Sequence, residues 1–156
     1  MKRLITIFNF KQKGFTLVEI LVVMIIIGIL SGMLVLVVEA GQDKAKATRI
    51  VMNLKSAKTA ATFAYSKYNI WPSEGDVSSL DSFFDRSLSA TGAYDIKVVN
   101  SGDKTTHYVG YKNDSELTKG VTNKLEIMRE KADVPLRTST GGIYTAGDKY
   151  PYMKLN

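Results

Sequence analysis

Glu19 is the residue whose position most needs a chemical reason. Residues 15–38 are almost entirely apolar, and Glu19 is the one charge among those 24 residues. A carboxylate at the centre of a membrane-spanning helix costs about 2.5–3.5 kcal/mol, and less near the interface. No basic residue inside the run can pair with it, so the expectation is a partner from another molecule or a protonated acid. The other candidates are weaker. His107 is the single histidine, set between Thr106 and Tyr108, and no nucleophile motif accompanies it. The reading is therefore not an enzyme. Asp76, Asp81 and Asp85, and separately Asp114 and Glu116, invite a calcium reading, but neither group has EF-hand spacing. They read as solvated loop and helix-cap acids, and no metal or other cofactor is expected. Eight tyrosines and Trp71 raise conducting or sugar-binding surfaces. Tyr108, Tyr111, Tyr144, Tyr150 and Tyr152 fall in expected strands, however, where aromatics are favoured for packing alone. The chain has no cysteine, which excludes disulfides and thiolate chemistry.

The element that carries Glu19 is long enough to matter. As a helix, 24 residues reach about 36 Å, enough for a bilayer core of about 30 Å. Lys2, Arg3, Lys11 and Lys13 precede it with no acid among them. The positive-inside rule then puts residues 1–14 in the cytoplasm and the residues after 40 outside. The run exceeds a signal-peptide core of roughly 7–15 residues, and Leu36-Val37-Val38-Glu39-Ala40 is not a small-residue cleavage site. A plain single-span anchor explains everything here except Glu19. The net charge of +6 raises nucleic acid as a partner. Without residues 1–14 the balance falls to 17 basic against 15 acidic side chains, so most of the excess belongs to the N-terminal segment and to membrane orientation.

Beyond Val38 the pattern turns amphipathic. Ile50, Leu54, Ala57, Ala61, Ala64 and Tyr68 recur at steps of 4, 3, 4, 3 and 4, one face of a helix. Together with the apolar run this predicts one continuous helix from about 15 to about 68, its second half packed under a sheet. A coiled-coil dimer competes, but the stripe is short and alanine-rich. A connection follows at 69–75, then a short helix carrying Val77, Leu80, Phe83, Phe84 and Leu88. Residues 93–100 and 104–112 read as a hairpin turned at Ser101-Gly102-Asp103. Leu117, Val121, Leu125, Met128 and Ala132 predict a helix at about 115–132. A final strand pair is expected at 142–145 and 150–154, turned at Gly147-Asp148. The fold class is α+β: a long N-terminal helix carrying a small antiparallel sheet head with one or two further helices.

Lys13-Gly14-Phe15-Thr16-Leu17-Val18-Glu19-Ile20, continuing through Gly28, resembles the leader junction of type IV prepilins and type II secretion pseudopilins. The resemblance covers about the first 40 residues. It implies that a membrane prepilin peptidase cuts between Gly14 and Phe15 and methylates the new Phe15 amine. It also implies that Glu19 pairs with that amine on a neighbouring subunit during assembly. A register shift between parallel chains could join the two charges, each costly alone in an apolar setting. Gly28 and Gly32 form a G-x-x-x-G pattern beside Ser31. They suit close helix packing or, as the resemblance implies, local melting of the helix. Many relatives carry a proline a few residues farther on, where this chain has Leu36 and Val37.

The organisation expected is a cleaved leader (1–14), a transmembrane and assembly helix (15–38), the amphipathic half of that helix (39–68) and an α+β head (69–156). The resemblance implies a structural subunit of a type IV pilus, a self-polymer. Its partners would be the prepilin peptidase, the inner-membrane assembly platform and minor pilins, with membrane lipid before assembly. Nucleic acid would be a partner only of a filament serving DNA uptake. The location implied is the bacterial inner membrane for the precursor, then the cell surface. The alternative is a pseudopilin forming a periplasmic pseudopilus for protein secretion. The C-terminal cysteine pair of many pilins is missing, and the tail 141–151 lacks the acidic cluster of a calcium-binding pseudopilin. A membrane-anchored binding module that forms no polymer is the reading from another class, and the Gly14/Phe15 junction argues against it.

Overall fold

The computed structural model describes residues 14–84 and 87–156. Except for Gly14, the expected leader lies outside the described residues, and so does Asp85. Helix α1 spans Leu17–Tyr68 as one uninterrupted helix, as the sequence predicts, and it continues unbroken through Leu36 and Val37. It is the one helix among the described residues long and apolar enough to cross a membrane. By its contacts the chain divides into two units, residues 1–38 and 39–156. In the first, the large apolar side chains described are all roughly half exposed or more, from Val22 at 47% to Phe15 at 84%.

In the second unit the inner face of α1 is the floor of the core. Ala47, Ile50, Leu54, Ala57 and Ala61 are fully buried, with Ala60, Ala64 and Val51 nearly so. This favours a helix packed under its own head over a coiled-coil seam. Alanine at these positions adds little bulk, so the layers can approach closely without losing helix propensity. Tyr68 departs from the stripe: it is 56% exposed and meets the Phe83 ring edge-on. It is the last helical residue, where the layer above has ended.

The sheet is four-stranded and antiparallel in the order β1-β2-β4-β3, with β1 at Tyr94–Ser101, β2 at Lys104–Tyr111, β3 at Leu136–Arg137 and β4 at Tyr152–Lys154. The hairpin falls within one residue of its expected ends. Gly102, at φ 60°, occupies the first of the two turn residues, where hairpin turns call for a positive φ. Register then aligns one residue from each strand: Ile96 opposite Val109, Val109 opposite Met153, and Met153 opposite Leu136. None of the four exceeds 1% exposure, and all join the α1 stripe in a single apolar cluster.

The neighbouring register row holds Asp95, Gly110, Tyr152 and Arg137. The Tyr152 ring lies over Gly110, where an added Cβ would overlap it, and its hydroxyl reaches Asp95 Oδ2 at 3.4 Å. Lys112 Nζ neutralises the same carboxylate at 2.6 Å. Glycine is needed here because the ring is nearly fully buried and has no room to retreat.

Three local expectations are corrected. The segment carrying Val77, Phe83 and Leu88 forms two short 3₁₀ turns, Ser78–Phe83 and Ser89–Thr91. Carboxylates compete there for the backbone: Asp76 accepts from Ser79 N, and Asp81 from Leu88 N at 2.6 Å and Ser89 N at 3.2 Å. Helix α2 begins at Lys119 and ends at Lys131, later than the expected 115. Thr118 is its N-cap and accepts from Val121 N, while Asn113 and Ser115 are held in a preceding side-chain turn. The partner of β4 is Leu136–Arg137, and 142–145 is no strand. Thr138, Gly141 and Gly142 close a turn instead, with Gly141 at φ 91°. Ile143 makes only an isolated bridge to Arg137. Tyr144 and Tyr150 are therefore loop residues, although Tyr144 is wholly buried. Burial pushes its phenol up to about 12.

Loop 112–118 is tied to α1 by an ionic knot. Glu116 accepts from Arg49 Nη2 at 2.5 Å and from the Tyr111 hydroxyl. The Tyr111 hydroxyl, then Arg49, hold the carboxyl below its ordinary value of 4.5. A depressed folded pKa stabilises above the ordinary value, and that contribution is lost as pH falls from there through the folded value. Glu116→Gln is therefore expected to lower the melting temperature of the detergent-solubilised chain at pH 7, with the gap to wild type narrowing as pH falls below the ordinary carboxylate value of 4.5. Gly110→Ala is expected to destabilise by about 1–3 kcal/mol through overpacking. Leu54→Asp, which buries a charge in the apolar floor, is expected to abolish cooperative unfolding of the head. A head that melts normally with Asp at position 54 would refute the helix-under-sheet packing.

Candidate functional site

The start of α1 gathers the residues that the sequence marks for chemistry. Gly14, Phe15 and Thr16 precede the first helical residue, Leu17, and Phe15 is 84% exposed. Thr16 stands at the N-cap and Glu19 three residues on. The Thr16 hydroxyl accepts from Glu19 N at 3.2 Å. Glu19 Oε2 accepts from Thr16 N and from Thr16 Oγ1, each at 2.7 Å. This is a reciprocal capping box. It satisfies two of the backbone donors that a helix start leaves without partners, and it sets an acid at the positive end of the helix dipole.

The box corrects one inference. The expectation of a partner from another molecule, or else a protonated acid, considered only cations. The structure supplies neutral donors from three residues upstream. The signal was legible as Thr-x-x-Glu ahead of an apolar run, and the charge question masked it. The same geometry leaves the Gly14–Phe15 peptide bond ahead of the helix, outside its hydrogen-bond ladder.

Gly28 and Gly32 lie within α1, and a Cβ added at either meets nothing within 4 Å. No contact inside the described chain requires glycine there. The remaining candidates do not converge. His107 stacks on Trp71 at 5.9 Å, and Trp71 on Tyr65 at 4.5 Å. His107 N donates to Asn156 Oδ1. Asp81 accepts from the Ser89 and Ser87 hydroxyls, which hold its carboxyl down to about 2. Asp114 makes a loose surface pair with Lys149 at 3.8 Å. Among the described residues, no group of three His, Cys, Asp or Glu side chains is placed to hold a metal ion.

Comparison with known proteins converges on the same segment. Residues 9–35 match the family model described as the prokaryotic N-terminal methylation motif. The chain is also 27% identical over 144 residues to the type IV major pilin protein PilE of Neisseria gonorrhoeae, covering 90% of this chain and 81% of that protein. No solved structure matches. A methylation motif over the capping box, a similarity to a major pilin that extends through the head, and a long helix carrying an antiparallel sheet agree with one another, and together they support a place in the type IV pilin and pseudopilin family.

Proposed function

We propose that this chain is a structural subunit of a type IV pilus. The observation that carries the reading is the Thr16–Glu19 box inside the methylation motif. It leaves the Gly14–Phe15 bond in non-helical backbone one residue ahead of the cap, where a peptidase can engage it. Prepilin peptidase removes residues 1–14 and methylates Phe15. Residues 15–38 hold the subunit in the inner membrane, with the leader on the cytoplasmic side, until the assembly platform and minor pilins recruit it to the growing polymer. Cleavage creates an amine four residues before Glu19. The carboxylate then exchanges the neutral donors of Thr16 for the Phe15 amine of a neighbouring copy. That exchange replaces hydrogen bonds from neutral donors with a pair in which both partners are charged. The apolar segment 15–38, including the open glycines Gly28 and Gly32, forms the packing surface of the filament.

The similarity to a major pilin favours an extracellular fibre over a periplasmic pseudopilus. Sheared surface filaments are expected to yield this chain beginning with methylated Phe15 on mass spectrometry. Cleaved chain confined to the cell envelope would identify a pseudopilin instead. The role of Glu19 separates into cap and charge by substitution. Glu19→Gln keeps a side-chain acceptor for the box but removes the charge. It is expected to be cleaved normally and to form no filaments, as for Glu19→Ala. Normal filaments from Glu19→Gln would show that capping alone suffices.

A further inference from the structure

Charge is segregated along α1. Residues 15–43 contain Glu19, Glu39 and Asp43 and no basic residue, whereas residues 44–73 contain six basic residues and no acid. Several of these charges already have work in the second unit. Asp43 reaches Thr118 at the start of α2. Arg49 holds Glu116, with Lys46 nearby, and Lys67 lies over the Tyr68 and Phe83 rings. Glu39, Lys55 and Lys58 make no ion pair among the described residues.

Lys55 and Lys58 border an open groove of about 420 Å³ on the outward face of α1, lined also by Thr59, Thr62 and Phe63. Phe63 is 61% exposed, and Met52, on the same face, 62%. The face is less polar than its sequence. Thr59 and Thr62 donate their hydroxyls to the Lys55 and Lys58 carbonyls at 3.1 and 3.0 Å. Their polar atoms are thus satisfied within the helix, and covering them forfeits few bonds to water.

We infer that this groove seats the Val38–Glu39 end of α1 from a second copy, Glu39 of one subunit meeting Lys55 and Lys58 of the next. The inference rests on the self-polymer reading above. An apolar rod ending in an unpaired acid fits an apolar groove flanked by unpaired bases. Parallel helices in register would set lysine against lysine. An offset of 16–19 residues, about 24–28 Å at about 1.5 Å per residue, brings the opposite charges together. The contact joins two different patches, so it is heterologous and builds an open polymer rather than a closed dimer.

The test uses the full chain in cells that assemble it. Glu39→Lys and Lys58→Glu are each expected to cut sheared-fibre yield about fivefold or more, with leader cleavage and head melting unchanged. The combined swap is expected to restore most of the yield, because the pair is rebuilt in reverse. With no native cysteine among the described residues, a Glu39→Cys, Lys58→Cys chain treated with a short bis-maleimide should give ladders of subunit multiples from fibres. Wild-type fibres combined with an unrescued swap, or cross-links from position 58 to another segment or another protein, would overturn the inference alone. Absence of wild-type fibres would overturn the polymer reading itself, and the inference with it.

Discussion

The alanine-rich inner face of α1 is the constraint on which the second unit depends. A chain without cysteine cannot staple a small sheet, so the sheet must find its stability in packing. One register row, Ile96, Val109, Met153 and Leu136, supplies an apolar residue from every strand to the cluster shared with α1. Small residues on the helix let that row approach closely. Larger ones would hold the layers apart and open voids, which interiors at crystal-like density do not tolerate. The short strands β3 and β4 survive because of this arrangement. Two or three residues of ladder are marginal alone, but Leu136 and Met153 are anchored in the core.

Polar ties then fix what apolar packing leaves free. Apolar contact is non-directional and does not by itself select a register or a loop conformation. Tyr152 crossing Gly110 to Asp95 locks the relation of three strands. Arg49 and Asp43, six residues apart on α1, hold the two ends of the segment that leads into α2 through Glu116 and Thr118. Each joins elements far apart in the sequence and has a charged partner. They involve residues that a hydrophobicity pattern treats as solvent-facing.

At the other end of α1 the physics differs. The large apolar side chains described between Phe15 and Val38 are all exposed, so no packing within their own unit accounts for the apolar pattern there. The capping box gives Glu19 a neutral resting partner inside its own chain. The acid need not wait for a cation in order to be tolerated. The same helix thus carries two kinds of surface: one buried within the fold, the other exposed along its apolar side chains.

Much of this was set by sequence alone. The apolar run, the Gly14-Phe15-Thr16-x-x-Glu19 junction, the extent of α1 and the first hairpin all follow from local rules: residue type, period and turn chemistry. The Ile50–Ala64 stripe was legible because a helix repeats its face every few residues, so burial leaves a regular trace. The Glu19 contact was equally local and was missed only because a cation was sought. Tertiary structure decided the rest. The choice of Leu136–Arg137 over 142–145 as the partner of β4 depends on which segment reaches the Met153 side of the sheet, and two residues carry no period. The tie that holds the segment before α2 against α1 joins Glu116 to Arg49, 67 residues away in sequence. The burial of Tyr144 in a loop, and the need for glycine at 110 beneath the Tyr152 ring, are set by atoms distant in the chain. Periodicity records what a residue's own element requires of it, and says nothing of neighbours that only the folded chain brings near.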